Sequence, residues 1–436
     1  MKFVLARSRF FRATTAALIL CSMTAASPLR AAEPSVAAPL TLDECYRLAL
    51  IQSETVAIRE QAIKRSEAQI FNALSQGLGD INYVWSRQRQ DLTRDEGSGS
   101  GGSFPDPDRT ESKFTFSQPL FQGFKAMGAV TGAGSYTKEQ KHLWIRAKQL
   151  LYLDVARAFY TTLTYRKDIL ILGEIHSFLE QRIKELEERE QLGRSRMSEV
   201  LTARSRLLMV EANEATVRGL AAVAEYQLEF LTGVTITERD LEEMPNDHDD
   251  RGLADYLKFV DTRPDVRAAD YAVKTSRRGI VVAQSGFWPS ITLNHNQYTR
   301  REGPTNKVDW DTLFTVNVPL FSGTETVGQV KDSIAQLRQK KLLLTLAKRT
   351  AALEIKQSYQ NWLSSRKELE ALGKAVAAAE ENYKIQIEEY RRSLVNNLDV
   401  LAALESLRET LRNRNLAHYR MKGNEAAIRV AIGEIT

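Results

Sequence analysis

Two stretches decide the reading of this chain: FTFSQPLFQGFKAMGAV at residues 114–130 and FTVNVPLFSGTETVGQV at 314–330, which agree at 8 of 17 positions. Pro119/Pro319, Phe121/Phe321, Gly123/Gly323 and Gly128/Gly328 all recur at an offset of 200. The same offset pairs Glu199-Val200-Leu201 with Asp399-Val400-Leu401, and Gly233 with Gly433. Upstream, residues 54–84 match 264–294 at an offset of 210, through Val56/Val266, Lys64/Lys274, Ile70/Ile280 and Ile81/Ile291. The chain is therefore an internal duplication. The ten-residue difference falls where the first copy carries Gly97-Ser98-Gly99-Ser100-Gly101-Gly102, a composition expected of a flexible surface loop.

Outward from each PLF-x-G the composition turns to Ala, Leu, Glu, Lys, Arg and Gln, the strongest helix formers. No proline lies between Pro119 and Pro245 or after Pro319. Leu172, Ile175, Leu179, Ile183 and Leu186 step by 3, 4, 4, 3, and Leu372, Val376, Ala379, Tyr383, Ile387 and Tyr390 by 4, 3, 4, 4, 3. That narrow seam belongs to long helices packed side by side. The pattern breaks once per copy, at Gly193-Arg194-Ser195 and at Arg391-Arg392-Ser393. A helix from Gly123 to Gln191 has 69 residues and runs roughly 100 Å at 1.5 Å per residue. No compact globule of this size holds such a rod.

Four short segments alternate instead. Ile81, Tyr83 and Trp85 interleave with Asn82 and Ser86; Phe114 and Phe116 with Thr115 and Ser117. Ile291 and Leu293 interleave with Thr292 and Asn294; Phe314, Val316 and Val318 with Thr315 and Asn317. Period two with one apolar face predicts strands, and each reaches the ~9–11 residues a tilted transmembrane strand needs. They form two hairpins, 80–120 and 290–320, each leading through PLF-x-G into a long helix. The competing reading is a pair of surface hairpins on a helical protein. Four strands close no barrel, so strands in lipid imply oligomerisation.

The 436 residues carry 60 Lys+Arg and 55 Asp+Glu, a net charge of +5. Lys2, Arg7, Arg9, Arg12 and Arg30 supply all of that excess, so the remainder is balanced and offers no electrostatic case for nucleic acid. Those bases, the apolar run Ala13–Met23 and small residues ending at Ala26 or Ala32 make residues 1–32 a signal peptide. Leu20 before Cys21 argues against a lipid-attachment cysteine, which leaves Cys45 alone in the mature chain and no internal disulfide. The boundaries expected are a first repeat at 33–232, an equatorial linker at 233–262 and a second repeat at 263–436.

In this order and register, the strand-PLF-x-G-helix junctions and the two turns followed by (Glu/Asp)-Val-Leu-x-Ala, Glu199–Ala203 and Asp399–Ala403, resemble the TolC-type outer membrane efflux protein family. The resemblance implies a mainly α fold with a small transmembrane β part. Long duplicated helical hairpins and four strands per chain would assemble as a homotrimer, with a 12-strand β-barrel above an α-helical barrel. It implies an outer-membrane exit duct for efflux or type I secretion, met in the periplasm by an adaptor protein and driven by an inner-membrane transporter. A periplasmic adaptor or a structural coiled-coil protein are the alternatives; the first predicts one hairpin between lipoyl-like segments, the second no amphipathic strands.

Nothing in the residues suggests catalysis, a cofactor or a metal. Asp247-His248-Asp249-Asp250 is the one metal-like run, and consecutive residues cannot all face one ion. The resemblance places the working residues at the turns. Glu199 and Tyr390 would link across the closed entrance, and Asp399 would form an acidic ring that attracts cations. Val395 stands where the family has a gating Arg, and Ala402 where it has a second aspartate. Gly193, Arg194, Ser195, Arg391, Arg392 and Ser393 would meet the adaptor. Pro119, Phe121, Gly123, Pro319, Phe321 and Gly323 would turn each strand into its helix. For each polar residue a solvated helix face is the bland alternative.

Overall fold

A computed structural model describes residues 39–89, 108–237, 239–243, 251–302 and 305–435. The signal segment, Cys21, the Gly97–Gly102 loop and the Asp247–Asp250 run lie outside the described residues. In chain order the elements are α1 (Leu42–Gln52), α2 (Glu54–Ser75), β1 (Asp80–Arg89), β2 (Asp108–Gln122), α3 (Lys125–Gln191) and α4 (Met197–Thr232). Then follow α5 (Leu253–Leu257), α6 (Pro264–Gln284), β3 (Ser290–Arg301), β4 (Trp310–Asn317), α7 (Glu325–Arg391) and α8 (Asn397–Ile432).

The duplication holds residue for residue in the long helices: α3 and α7 each have 67 residues, α4 and α8 each 36. Both breaks between them occur where polarity peaks. The short helices start from local chemistry. Ser53 ends α1 by donating its N–H to Ala49 O and starts α2 by accepting from Val56 N at 3.4 Å, so one residue caps two helices. Pro264 opens α6 at its first position, where its missing N–H costs nothing.

The hairpins join into one four-stranded antiparallel sheet of order β1-β2-β3-β4. This β2–β3 pairing across the repeats was not foreseen from the two separate hairpins. Below it α3 packs on α2 and α6, and farther along on α4 and α8; α7 packs on α6 and α8. The end of α4 meets the α1–α2 junction, where Gly233 lies against Gln52, and the end of α8 meets the start of α6, where Gly433 lies against Pro264. Each pair thus stacks end to end beside an unbroken helix. Among their residues, 21 of α3 are buried but only 7 of α7, so α3 is central and α7 forms an open edge.

Three apolar clusters hold the unit. One joins α1 to the middle of α3 through Cys45, Tyr46, Tyr152, Val155 and Phe159. A second runs down the tip half through Leu172, Ile175, Leu179, Leu186, Val200 and Val400. A third seats Tyr256 and Ile355 against Ile428 and Ile432. Between the first and third, Arg263 is fully buried. It donates to Asp265 Oδ1 at 3.0 Å, Asp265 Oδ2 and Glu354 Oε2 at 2.6 Å, and Ala431 O at 3.0 Å. Arg146 adds Val430 O at 3.0 Å and Glu354 at 3.3 Å. Two guanidiniums therefore gather the end of α8, α7 and the start of α6 onto α3.

Candidate functional site

Both helix tips close by the same backbone device. At the first, Arg194 N donates to Arg189 O and Gly193 N to Glu190 O, each at 2.8 Å; at the second, Leu394 N donates to Glu389 O and Ser393 N to Tyr390 O, each at 2.9 Å. These are the paired 6→1 and 5→2 bonds of a Schellman motif, which requires a left-handed residue just past the helix. Gly193 supplies it at φ 67°, and Ser393 adopts it at φ 61° without a glycine's freedom.

The returning helices start differently. Asn396 caps α8 with its side chain, accepting from Leu398 N at 2.7 Å and Asp399 N at 3.2 Å; Asp399 Oδ2 accepts from Asn396 N at 3.1 Å. Asp399 is therefore half of a capping box as well as an exposed carboxylate at the tip. Glu199 in the other copy is half-buried and accepts from Ser195 Oγ at 2.7 Å.

Within the chain, Tyr390 makes no hydrogen bond to Glu199 among the described residues. Its ring is 7% exposed in the tip core, and its hydroxyl makes no hydrogen bond among the described residues. Instead the Arg182 guanidinium stands 3.8 Å over the ring and that of Arg189 4.6 Å. Arg182 is itself buried. Its Nε donates to Asn397 Oδ1 at 3.0 Å and its Nη1 to Glu185 at 3.0 Å, while Arg182 Nη2 and Asn397 Nδ2 are buried with no hydrogen-bond partner among the described residues. Farther up, Arg412 grips Asp168 with two bonds of 2.8 and 2.7 Å, and Asn415 donates to Thr164 O at 2.9 Å. The two repeats are thus tied α3 to α8 by arginine and asparagine contacts. Arg182 was hidden by its place one residue before Ile183 in the apolar seam. Asn397 was readable only as the neighbour of a cap.

At the opposite end the sheet presents two unlike faces. Ile81 pairs with Phe116, Tyr83 with Phe114, Ile291 with Val316 and Leu293 with Phe314, so one face is apolar. Trp85 and Trp310 stand exposed on that face near its far end. From Trp310 to Val318 is ~27 Å along the chain and roughly 20 Å normal to a bilayer at the usual barrel tilt. Leu320 at 93% and Phe321 at 88% exposed extend it, to a height comparable with the ~25 Å apolar band of outer-membrane barrels. The other face carries Asn82, Thr115, Asn296 and Asp311 in one cross-strand row. Among the described residues no helix is long and apolar enough to cross a membrane.

At each junction the glycine turns the chain with a positive φ, 58° at Gly123 and 65° at Gly323. Gly123 has a second constraint, since a Cβ there would lie 2.7 Å from Ser285 O and from Trp288 Cβ. Phe124 follows it in the left-handed region and packs edge-on against Phe121 and Trp288. Pro119 stands at a register shift between β2 and β3, and Pro319 lies two residues past Asn317, the end of β4, after Val318.

Comparison with known proteins agrees with this architecture. The sequence model of the outer membrane efflux protein family matches residues 45–234 and 258–434. The alkaline protease secretion protein AprF of Pseudomonas aeruginosa is 22% identical over 403 residues, covering 87% of this chain and 83% of that protein. The outer membrane efflux protein BepC of Brucella suis is 22% identical over 304 residues, or 66% of this chain and 64% of that one. Among solved structures, the outer membrane protein VceC of Vibrio cholerae superimposes with a TM-score of 0.78 at 19% identity, over 90% of this chain and 96% of that one.

Proposed function

The chain belongs to the outer membrane efflux protein family, and on that premise we propose that three copies close into a single passive exit duct. The observation that carries this is the two-faced sheet with both edges open. Among the described residues β1 and β4 each have one neighbour, so each edge leaves backbone groups unpaired, at several kcal/mol apiece in hydrocarbon. Twelve strands from three chains pair every edge and enclose the polar face.

The helices support the same closure. The α7 edge, below β4, exposes Leu342, Leu343, Leu346 and Leu353, and the α2–α4 edge, below β1, exposes Phe71, Leu208, Tyr226 and Phe230. Unlike edges that cover each other head to tail generate a ring. The two repeats, 33–232 and 263–436 joined through 233–262, then contribute alternate pairs of helices to a periplasmic tube.

In this reading the tips form the entrance. Tyr390, held by Arg182 and Arg189, locks α7 to α3, and Asp399 from three copies sets an acidic ring attractive to cations. Glu199, bonded to Ser195, steadies the first tip. Gly193, Arg194, Ser195, Arg391, Arg392 and Ser393 present cations beside exposed Leu192 and Leu394 to a periplasmic adaptor. An inner-membrane transporter supplies the energy. The test is assembly: protein extracted from outer membranes in mild detergent should sediment as a trimer. A monodisperse monomer, or recovery in the soluble periplasmic fraction, would overturn the proposal.

A further inference from the structure

The polar face of the sheet holds a charge cluster that passage alone does not require. Glu111 of β2 stands at its centre. Lys113 Nζ is 3.1 Å from one carboxylate oxygen, with Arg109 Nη2 at 3.5 Å and Arg301 Nε at 3.6 Å from the other. Three cations share one anion. Arg301 also lies 4.0 Å over the Tyr298 ring, with Lys113 5.4 Å from it, and Arg109 donates to Thr305 at 3.1 Å. The nearby carboxylate of Asp311 is engaged by neutral donors, Tyr298 Oη at 2.6 Å and Asn296 Nδ2 at 2.8 Å. Among the described residues the cluster keeps a net positive charge even with Asp311 counted. Arg301 Nε is buried yet makes no hydrogen bond among the described residues.

Its position follows from the register. Glu111 pairs with Ser86 and Arg301, one step beyond the Trp85–Ser112 pair, so it sits level with the outer aromatic residues but on the opposite face. A one-residue irregularity between Ser112 and Lys113 brings Arg301 onto this face beside Glu111 and turns Arg300 to the other. There Arg300 pairs with Glu302 and Arg87 with Asp108, and both pairs are neutral.

We propose that Arg109, Lys113 and Arg301 form an anion-binding station on the inner wall near the outer mouth, taking carboxylate or phosphate groups of departing solutes. Glu111 is its built-in competitor: it holds the cations in place and keeps the site weak, as a conduit needs. The inference rests on the duct reading, which makes the polar face a water-lined wall. The probe is tripolyphosphate, titrated calorimetrically into the purified protein in detergent and added to the outer side of planar bilayers. Glu111→Gln should tighten binding and block roughly tenfold, and Lys113→Gln should weaken both by a similar factor, the usual worth of one charge-assisted hydrogen bond. Arg87→Gln, a cation of similar height on the opposite face, should change neither. Binding unaltered by both Glu111→Gln and Lys113→Gln overturns the station, and so does an equal loss in Arg87→Gln. Wild-type protein that binds the probe but carries no current overturns the duct and leaves the site.

Discussion

If the tips gate the proposed duct, Tyr390 separates two accounts of how they are locked. If its hydroxyl were the link, Tyr390→Phe would release the tip. The contacts say otherwise, because the ring is clasped by Arg182 at 3.8 Å and Arg189 at 4.6 Å. A cation over an aromatic face contributes about 0.5–1 kcal/mol when exposed and ~2 when desolvated. Arg182 is buried and Arg189 half-exposed, so the pair is worth about 2.5–3 kcal/mol. Phenylalanine keeps that attraction and its place in the apolar tip cluster that also holds Val200 and Val400. Leucine keeps much of the packing and loses the attraction, which shifts the open-to-closed ratio by roughly 100-fold at about 1.4 kcal/mol per decade. Single-channel recording in planar bilayers reads this ratio directly. Tyr390→Phe should behave as wild type and Tyr390→Leu should dwell open, with Arg182→Gln following leucine. Equal opening by Phe and Leu would rule out the cation–ring clasp and return the lock to the hydroxyl.

Other substitutions test the supporting geometry. Ser393→Gly should stabilise the second tip by ~1 kcal/mol, seen as slower proteolytic nicking there, because Ser393 holds a left-handed conformation that glycine adopts without strain. Gly123→Ala should cut the yield of folded protein in the membrane far more than Gly323→Ala: both positions have positive φ, but nothing lies within 4 Å of a Cβ at Gly323. Arg263→Met should cost about 3–5 kcal/mol in thermal unfolding, since Asp265 and Glu354 lose the buried cation that both contact. Burial pushes the Asp265 carboxyl up, but the hydrogen bonds and charge of Arg263, with that of Arg146, outweigh it and hold the group below its usual range. Its contribution is therefore complete above the unfolded carboxylate value of ~3.9 and is lost as pH falls through the lower folded value. Melting followed downward from pH 5 should show that acid step in wild type and a smaller one in Arg263→Met.

The parts of the fold legible in the sequence are those written locally and written twice. PLF-x-G fixes a strand end, a left-handed turn and a helix start within five residues, and its recurrence at Pro319–Gly323 excludes chance. The 3–4 seam marked both long helices because adjacent packing leaves a periodic trace. What stayed hidden is what depends on distant residues. Arg182 and Asn397 are 215 positions apart, and only the docking of α8 on α3 makes them partners. The joining of the hairpins through β2 and β3, and the bulge that brings Arg301 beside Glu111, belong to pairing rather than to either strand. Asp399 is a different case. Asn396-x-x-Asp399 is a readable capping-box pattern, but attention to the carboxylate as a lumen charge passed over its bond to the backbone.

The matched helix lengths, 67 with 67 and 36 with 36, constrain how such a molecule can be resized. Removing four residues from α3 alone would draw one tip back by ~6 Å and turn its seam by about 40°, leaving its twin in place. The strand ends and both tips stay level only when the two repeats change together, and only in increments that return side chains to their faces. Seven and eleven residues are the shortest such increments. Reach across the periplasm is therefore quantised, in paired steps of about 10 or 17 Å, and a family member of different length should carry the same insertion in both halves.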